Sequence, residues 1–241
     1  MSRAFTGKRF WLVGASEGLG RALAKALSDE GAHLVLSARS ETRLMELANT
    51  LPHARALALD VTDADSIAAA ARALPQIDGV IFNAGAYEPM KAQDWDSAVA
   101  LKMNDVNYGG ALRVIGAVLP DMLQRDAGDI TLIGSLSAYH GLPAAVGYGP
   151  SKAALRSLAE TLRFDLRGTG VVVRIVNPGF IKTRLTAKNS FKMPMLMQPK
   201  DAANRVLRAM KTTRFRHDFP RPFSWVIKAL SYIPDWLIYR R

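Results

Sequence analysis

Cysteine is absent from the 241 residues, so the chain can form no disulfide, thiolate nucleophile or cysteine-ligated metal site. Histidine is scarce: His33, His53, His140 and His217 are the four present, none at a zinc-type spacing, and no metal is expected. No run is long and apolar enough to span a bilayer as a helix. Internal repeats, low-complexity tracts and an obvious linker are missing too, which leaves a single domain as the working reading. The opening MSRAFTGKRFWLVGAS sets charges among apolar residues and runs into a first strand, so a cleavable signal peptide is not expected and a cytoplasmic location is. Acid is what the last quarter lacks. The chain holds 32 Lys+Arg against 21 Asp+Glu, a net charge of +11, yet residues 1–181 contain 18 of each and cancel. Residues 182–241 contain 14 bases and three acids, so the whole excess lies there.

What is present is an alternation. Short β-branched and aliphatic runs alternate with longer stretches of helical period, the pattern of βα units on a parallel sheet, in a chain that is 49% hydrophobic and long enough for one sizeable α/β core. Strands are expected near Phe10–Val13, His33–Ala38, Arg55–Leu59, Gly79–Phe82, Asp129–Ile133 and Val171–Val176. The first helix should place Leu19, Leu23, Ala26 and Leu27 on one stripe and end at Gly31, and the next should start from Ser40 as N-cap. After Pro178-Gly179 the composition shifts to Met, Phe, Trp, Pro and bases, read as an appendage to the same domain.

The segment FWLVGASEGLGRALAKAL passes from an apolar strand through Gly14, Gly18 and Gly20 into an amphipathic helix. Unpaired N–H groups and the macrodipole make such a helix start attractive to a pyrophosphate, and glycines let it come close. A tight strand-to-helix turn with glycines needed only for packing is the alternative. About twenty residues on, where an acid would favour NAD, the second strand ends in Ala38 and Arg39. A guanidinium there suits a 2′-phosphate, so NADP(H) is preferred over NAD(H). The alternative is that Arg39 is an ordinary solvated cation, and Glu17 adds negative charge close by.

Tyr148 and Lys152 stand four apart in GYGPSKAALRSLAETL and share a helix face; Pro150 fits the first turn. A free phenol has a pKa of about 10, and an ammonium about 4 Å away at an effective dielectric near 20 attracts phenolate by about 4 kcal/mol before desolvation is counted. The pair is therefore a sensible proton donor to a carbonyl or acceptor from an alcohol. Alone, Y-x-x-x-K is better explained by a surface pair; the residues around it change that. Thirteen residues upstream, Ser135 follows the apolar DITLIG, which puts its hydroxyl at the C-terminal edge of the sheet, where it could stabilise oxyanion charge. Ordinary loop bonding is the alternative for Ser135 and Ser137.

Taken in order, these segments resemble the short-chain dehydrogenase/reductase family over about residues 8–183. The matching pieces are GASEGLG, Asp60-Val61, Asn83-Ala84-Gly85, Asn107, Ser135, Tyr148, Lys152, and Pro178-Gly179 with Thr183. The resemblance implies one Rossmann-like α/β domain with a seven-stranded, doubly wound parallel sheet flanked by helices. It implies a catalytic set of Asn107, Ser135, Tyr148 and Lys152, with Tyr148 as general acid/base and Asn107 anchoring a relay water. It also implies NADP(H) contacts at Gly14, Ser16, Glu17, Gly18, Leu19, Gly20, Arg39, Asp60, Val61, Asn83, Ala84, Gly85, Tyr148, Lys152, Pro178, Gly179, Ile181 and Thr183. Homodimers or homotetramers packed through the two long helices are the implied assemblies. Val13 departs from the family's usual threonine, Glu17 from its usual basic or neutral residue, and the glycine-rich ending of its simpler tetramers is lacking.

On that resemblance the chain divides into a core (1–183), a substrate-loop region (184–212) and a basic amphipathic extension (213–241). The loop carries Phe191, Met193, Met195, Leu196 and Met197, which suits an apolar, lipid-like carbonyl substrate; a short helix packed on the core is the alternative. In the extension, Phe223, Val226, Ile227, Leu230 and Leu237 can form one helical face and Ser224, Lys228, Ser231 and Asp235 the other. That suits peripheral contact with anionic lipid, or packing on its own domain or a partner subunit; nucleic acid is not expected. A non-catalytic NADP sensor and a membrane-associated scaffold are the competing functional classes.

Overall fold

A computed structural model describes residues 5–239. The first four residues of the opening segment and the Arg240-Arg241 pair of the basic extension lie outside them. The described residues form seven strands: β1 (Arg9–Val13), β2 (His33–Ser37), β3 (Ala54–Ala56), β4 (Gly79–Phe82), β5 (Gly128–Ile133), β6 (Val171–Pro178) and β7 (Arg216–Phe219). All pair in parallel, in the order β3-β2-β1-β4-β5-β6-β7. The winding reverses between β1 and β4, which opens a crevice at the C-terminal ends of those strands.

The helices are α1 (Gly18–Asp29), α2 (Glu41–Ala48), α3 (Ala64–Ala73), α4 (Ser97–Asn104), α5 (Gly110–Gln124), α6 (Tyr148–Asp165), α7 (Pro199–Met210), α8 (Phe223–Ala229) and α9 (Asp235–Ile238). Successive strand residues point to opposite faces. Leu12, Leu34, Leu36 and Ile81 pack with α1, α2 and α7 on one side. Trp11, Val13, Val35, Val80 and Phe82 pack with α3, α5 and α6 on the other. Burial on both faces is why these strands read as unbroken apolar runs rather than alternating ones. Ser40 caps α2 by accepting from the Arg43 N–H, as its position in the sequence suggested.

Three expectations are corrected. The third strand is regular only over Ala54–Ala56, although Leu57 and Leu59 still donate backbone bonds to Leu36 and Ala38 at 2.9 and 3.0 Å. A polar run, Arg216–Phe219, forms the seventh strand, so the segment set apart as an extension from residue 213 begins inside the sheet. The amphipathic helix expected beyond it is three short pieces, α8, a 3-10 turn at Leu230–Tyr232 and α9, with Pro234 between the last two. Its faces are mixed rather than cleanly apolar and polar: Ile227 is buried and Ser231 and Asp235 are exposed as expected, but Ser224 is 1% exposed and Lys228 half-buried, whereas Val226 and Leu237 are exposed.

Candidate active site

The turn between β1 and α1 is built for close approach. Gly14 has φ +90°, and a Cβ there would lie 2.5 Å from the Ala84 nitrogen; one on Gly20 would lie 1.9 Å from the Gly14 oxygen. Asn83 clamps the two strand ends together by donating from Nδ2 to the Gly14 oxygen at 2.7 Å. Glu17 occupies the N-cap of α1 but makes no capping bond with its side chain, leaving the helix's first N–H groups for an anion. Its carboxylate turns outward to Arg184, at 2.8 Å from Nη2, and to Arg43, at 3.2 Å from Nη1. The negative charge that counted against a phosphate is thus paired twice. These features fit a dinucleotide pyrophosphate, with the α1 N-terminus and the glycine backbone as its holders. Leu19 and Val61 are buried in the two cores, so only their backbone can face a cofactor.

The remaining predicted binding residues lie along the same sheet edge. Arg39 is exposed just past β2, and its charge, with that of Lys102, reaches Asp60. Burial raises the Asp60 pKa, but two bonds from Thr62 and those cations outweigh it and hold the carboxyl below its ordinary range. Ala84 and Gly85 follow β4, while Pro178 ends β6 and Gly179 donates to the Phe219 oxygen at 2.7 Å. Ile181 is buried and bridges to Met197, and the methyl of Thr183 lies close to Gly18. Ser16 sits half-buried in the glycine turn.

Three of the four catalytic candidates meet at the crevice. Ser135 leaves β5, and its hydroxyl bonds the Tyr148 phenol and accepts from Ser137 Oγ at 2.9 Å. Lys152, one turn into α6 and 4% exposed, donates from Nζ to the Ile133 oxygen at 2.9 Å and lies 5.9 Å from the centre of the Tyr148 ring. Burial pushes the Tyr148 phenol up to about 12, against the Ser135 bond that lowers it and with the neighbouring Tyr87 that raises it. Burial also pulls the Lys152 ammonium down to about 8. The sequence argument had the lysine lowering the phenol. In the protein alone desolvation dominates, because each charged form is penalised in the same dry pocket. A phenol held protonated at neutral pH is the form that donates a proton.

Asn107 sits in a π-helical turn, Asp105–Gly109, between α4 and α5. Its Oδ1 accepts from the Ala86 N–H at 2.7 Å, and its Nδ2 donates to the Ala86 oxygen at 3.0 Å and to Ser151 Oγ at 2.9 Å. The side chain braces the β4 loop against α6, next to Gly85 and Lys152. Sequence reasoning missed Tyr87, whose ring meets that of Tyr148 edge-on at 4.9 Å and whose hydroxyl donates to Asn189 Oδ1 at 2.6 Å. Beside it, Glu88 pairs with Lys188. Both links cross from the β4 loop to the segment after β6. The only signal in the sequence was Tyr87's place two residues after Gly85.

The comparisons agree with this architecture. A family model described as short chain dehydrogenase matches residues 8–193. The chain is 38% identical over 199 residues to an uncharacterized oxidoreductase of Myxococcus xanthus, covering 79% of each. It is also 38% identical over 184 residues to sulfoacetaldehyde reductase 2 of Chromohalobacter salexigens, covering 73% of each. Among solved structures, a short chain dehydrogenase of Burkholderia cenocepacia in complex with NADP superposes with a TM-score of 0.88 at 25% identity, over 99% of this chain and 98% of that one. With the matched family model extending over most of its length and two relatives above 30% identity, this chain belongs to the short chain dehydrogenase family.

Proposed function

We propose that the protein is an NADP(H)-dependent oxidoreductase that moves a hydride between the nicotinamide and a carbonyl/alcohol pair. The observation that carries this reading is the convergence of the Tyr148 phenol, the Ser135 hydroxyl and the buried Lys152 ammonium beside a pyrophosphate-fitting turn. When bound, the cofactor supplies or takes the hydride. In the reducing direction Ser135 donates to the substrate oxygen and fixes its place. Tyr148 passes its proton to that oxygen as negative charge develops there, and the Lys152 ammonium stabilises the phenolate left behind. Asn107 braces the loop that borders them and anchors a water through which the phenolate regains its proton.

NADP(H) is preferred over NAD(H) because Arg39 is exposed at the end of β2 and Glu17 is neutralised by Arg43 and Arg184. The Burkholderia neighbour, crystallised with NADP, supports the same choice. An apolar substrate is favoured by the segment after β6, which forms no helix packed on the core at Phe191–Met195 and leaves both side chains exposed. A homodimer or homotetramer fits Leu112 and Leu123 on α5 and Phe164 on α6, all exposed. Peripheral contact of the C-terminal segment with lipid belongs to the same reading.

NADPH oxidation across ketones and aldehydes graded in length and polarity tests the proposal. Long apolar ketones are expected to be turned over fastest, and a lead for short polar carbonyls such as sulfoacetaldehyde would overturn the apolar assignment. Tyr148→Phe should lower turnover by about a thousandfold while NADPH binding is kept. Unchanged turnover would favour a site that does not use the phenol, and an absence of turnover in the wild type would favour a sensor.

A further inference from the structure

The C-terminal segment buries Ile227 but also ties polar groups to the domain: Lys228 donates to Asp218 Oδ2 at 2.9 Å, the exposed Ser231 donates to the Tyr139 oxygen at 3.0 Å, and Ser224 is buried with its hydroxyl unpartnered among the described residues. Asp218 also accepts from Tyr139 and Asn177, so α8 and the following turn are pinned to the sheet edge by polar bonds. What faces outward is apolar. Trp225 is 56% exposed, Tyr232 89% and Trp236 67%, with Val226, Ile233 and Leu237 exposed among them. An apolar ridge of this kind on an otherwise well-packed domain marks a surface that meets something.

The ridge is continuous with the mouth of the catalytic crevice. Phe180, just after β6, stacks on Phe223 of α8 at 5.8 Å and meets Phe191 edge-on at 5.7 Å. Gly179 lies against both Phe223 and Leu136, the residue next to Ser135. A chain of packed apolar side chains therefore runs from Leu136, beside the catalytic serine, through Phe223 and Phe180 to the exposed Phe191. The segment is rich in bases: residues 182–241 carry 14 against three acids, although Arg184, Lys188, Lys211, Arg216 and Lys228 are each paired with a carboxylate and Asp235 is exposed within the ridge. Arg221 lies over the Trp225 ring at 5.5 Å, and Lys192 is exposed beside Phe191. Exposed indoles and phenols with cations around them suit the headgroup boundary of an anionic bilayer, where rings sit between acyl chains and water.

We infer that this face docks on an anionic membrane and that the crevice opens toward it, so that the enzyme draws a bilayer-resident carbonyl directly into the site. The inference rests on the oxidoreductase reading for its substrate, but the docking itself does not. The full-length protein is mixed with vesicles of phosphatidylcholine alone or with about 30% phosphatidylglycerol, and flotation is measured. Binding to the anionic vesicles is expected to exceed the neutral ones by about tenfold and to weaken in high salt. Trp225→Ser combined with Trp236→Ser should cut flotation by at least about tenfold. The rate on a long-chain ketone embedded in those vesicles should fall by a similar factor. NADPH turnover of a short water-soluble ketone, and the circular dichroism spectrum, should not change. Tyr232→Ser, at the most exposed ring, serves as an independent variant with the same expected direction.

Wild-type protein that stays unbound with anionic vesicles overturns the docking. So does a ridge-dependent dimer in sedimentation without flotation, which would assign the surface to a second copy. Flotation with vesicle-borne and soluble ketones equally affected by the variants overturns the delivery route. Flotation without turnover of any carbonyl would leave the docking in place and refute the oxidoreductase reading instead.

Discussion

Through residues 5–181 burial follows the usual rule, with Trp11, Leu12, Phe82 and Ile175 inside and the charged side chains mostly at the surface. From Pro220 to Tyr239 burial no longer sorts by polarity: Ser224 is buried while its neighbour Trp225 is open to solvent, yet Ile227 is buried and Ser231 and Asp235 are exposed. The crevice rim is another exception to ordinary burial, since Lys152 and Asn107 are enclosed among apolar residues, and so is the Arg174–Asp129 pair within the sheet. The rim and the C-terminal segment differ in what their polar groups do. At the rim the Lys152 ammonium is held at a cost in stability, although it bonds the Ile133 oxygen. In the C-terminal segment Lys228 pairs with Asp218 of the edge strand, while the buried Ser224 Oγ has no hydrogen-bond partner among the described residues. Burial thus disfavours the charged lysine, whereas the bonds that Asp218 accepts favour its charged carboxylate. Substitutions in the two regions should therefore separate activity from stability in opposite ways.

Lys152→Met should show the larger effect. Activity on a soluble ketone is expected to fall by about a hundredfold or more, because the phenolate loses its counter-charge. Stability should move the other way. With the Lys152 pKa at about 8 against an ordinary 10.5, the unfolded chain binds more protons between those values, so wild-type stability rises with pH across that window. Below pH 8 the buried ammonium costs about 3 kcal/mol, offset in part by its bond to Ile133. The methionine variant should therefore melt higher than the wild type at pH 7, with the advantage gone by about pH 10.5. A variant that is less stable at pH 7 and fully active would erase the contrast.

Asp218→Asn should give the smaller and opposite result. Burial raises this carboxyl, but bonds from Asn177, Tyr139 and Lys228 hold its pKa below the ordinary range. Such a group contributes stability above the ordinary carboxylate pKa and loses it as pH falls through the folded value. Removing the charge should cost about 1–2 kcal/mol at neutral pH, a fall in melting temperature of about 5 °C, with the loss shrinking in acid. Turnover of a soluble ketone should stay within about twofold of wild type, as Asp218 belongs to the edge strand and touches none of the reacting groups. A large loss of turnover with no change in melting would tie this network to the chemistry instead.

The sequence was most legible where one requirement dominates. β1, β4 and β5 appear at the expected places because central strands are buried on both faces and are therefore mostly apolar, Asp129 and Thr131 of β5 aside. Tyr148, Lys152 and Ser135 could be paired because helix spacing and the end of a strand fix their geometry with little help from the rest of the fold. Arg216–Phe219 was illegible for the reverse reason: RHDF has no strand pattern of its own, and pairing with β6 makes it a strand. Periodicity found apolar spacing beyond Phe223 but not which of those side chains would be inside: Ile227 is, whereas Val226 and Leu237 are not. That depended on Asp218 and the Tyr139 carbonyl standing ready on the domain to receive Lys228 and Ser231. The direction of the pKa shift at Tyr148 was out of reach too, since it turns on how dry the pocket is rather than on which cation is near.

The account's central claim is that this crevice joins a dinucleotide's hydride to a carbonyl carbon while the chain supplies only the proton. Reduction of a long-chain ketone with NADPH deuterated at the transferring position, followed by mass spectrometry of the alcohol, tests it most directly. The predicted product carries one deuterium on the carbinol carbon for each NADPH oxidised, and none at that carbon when unlabelled NADPH is used in heavy water. An alcohol without the label, or one that takes its carbon-bound deuterium from solvent, would contradict it.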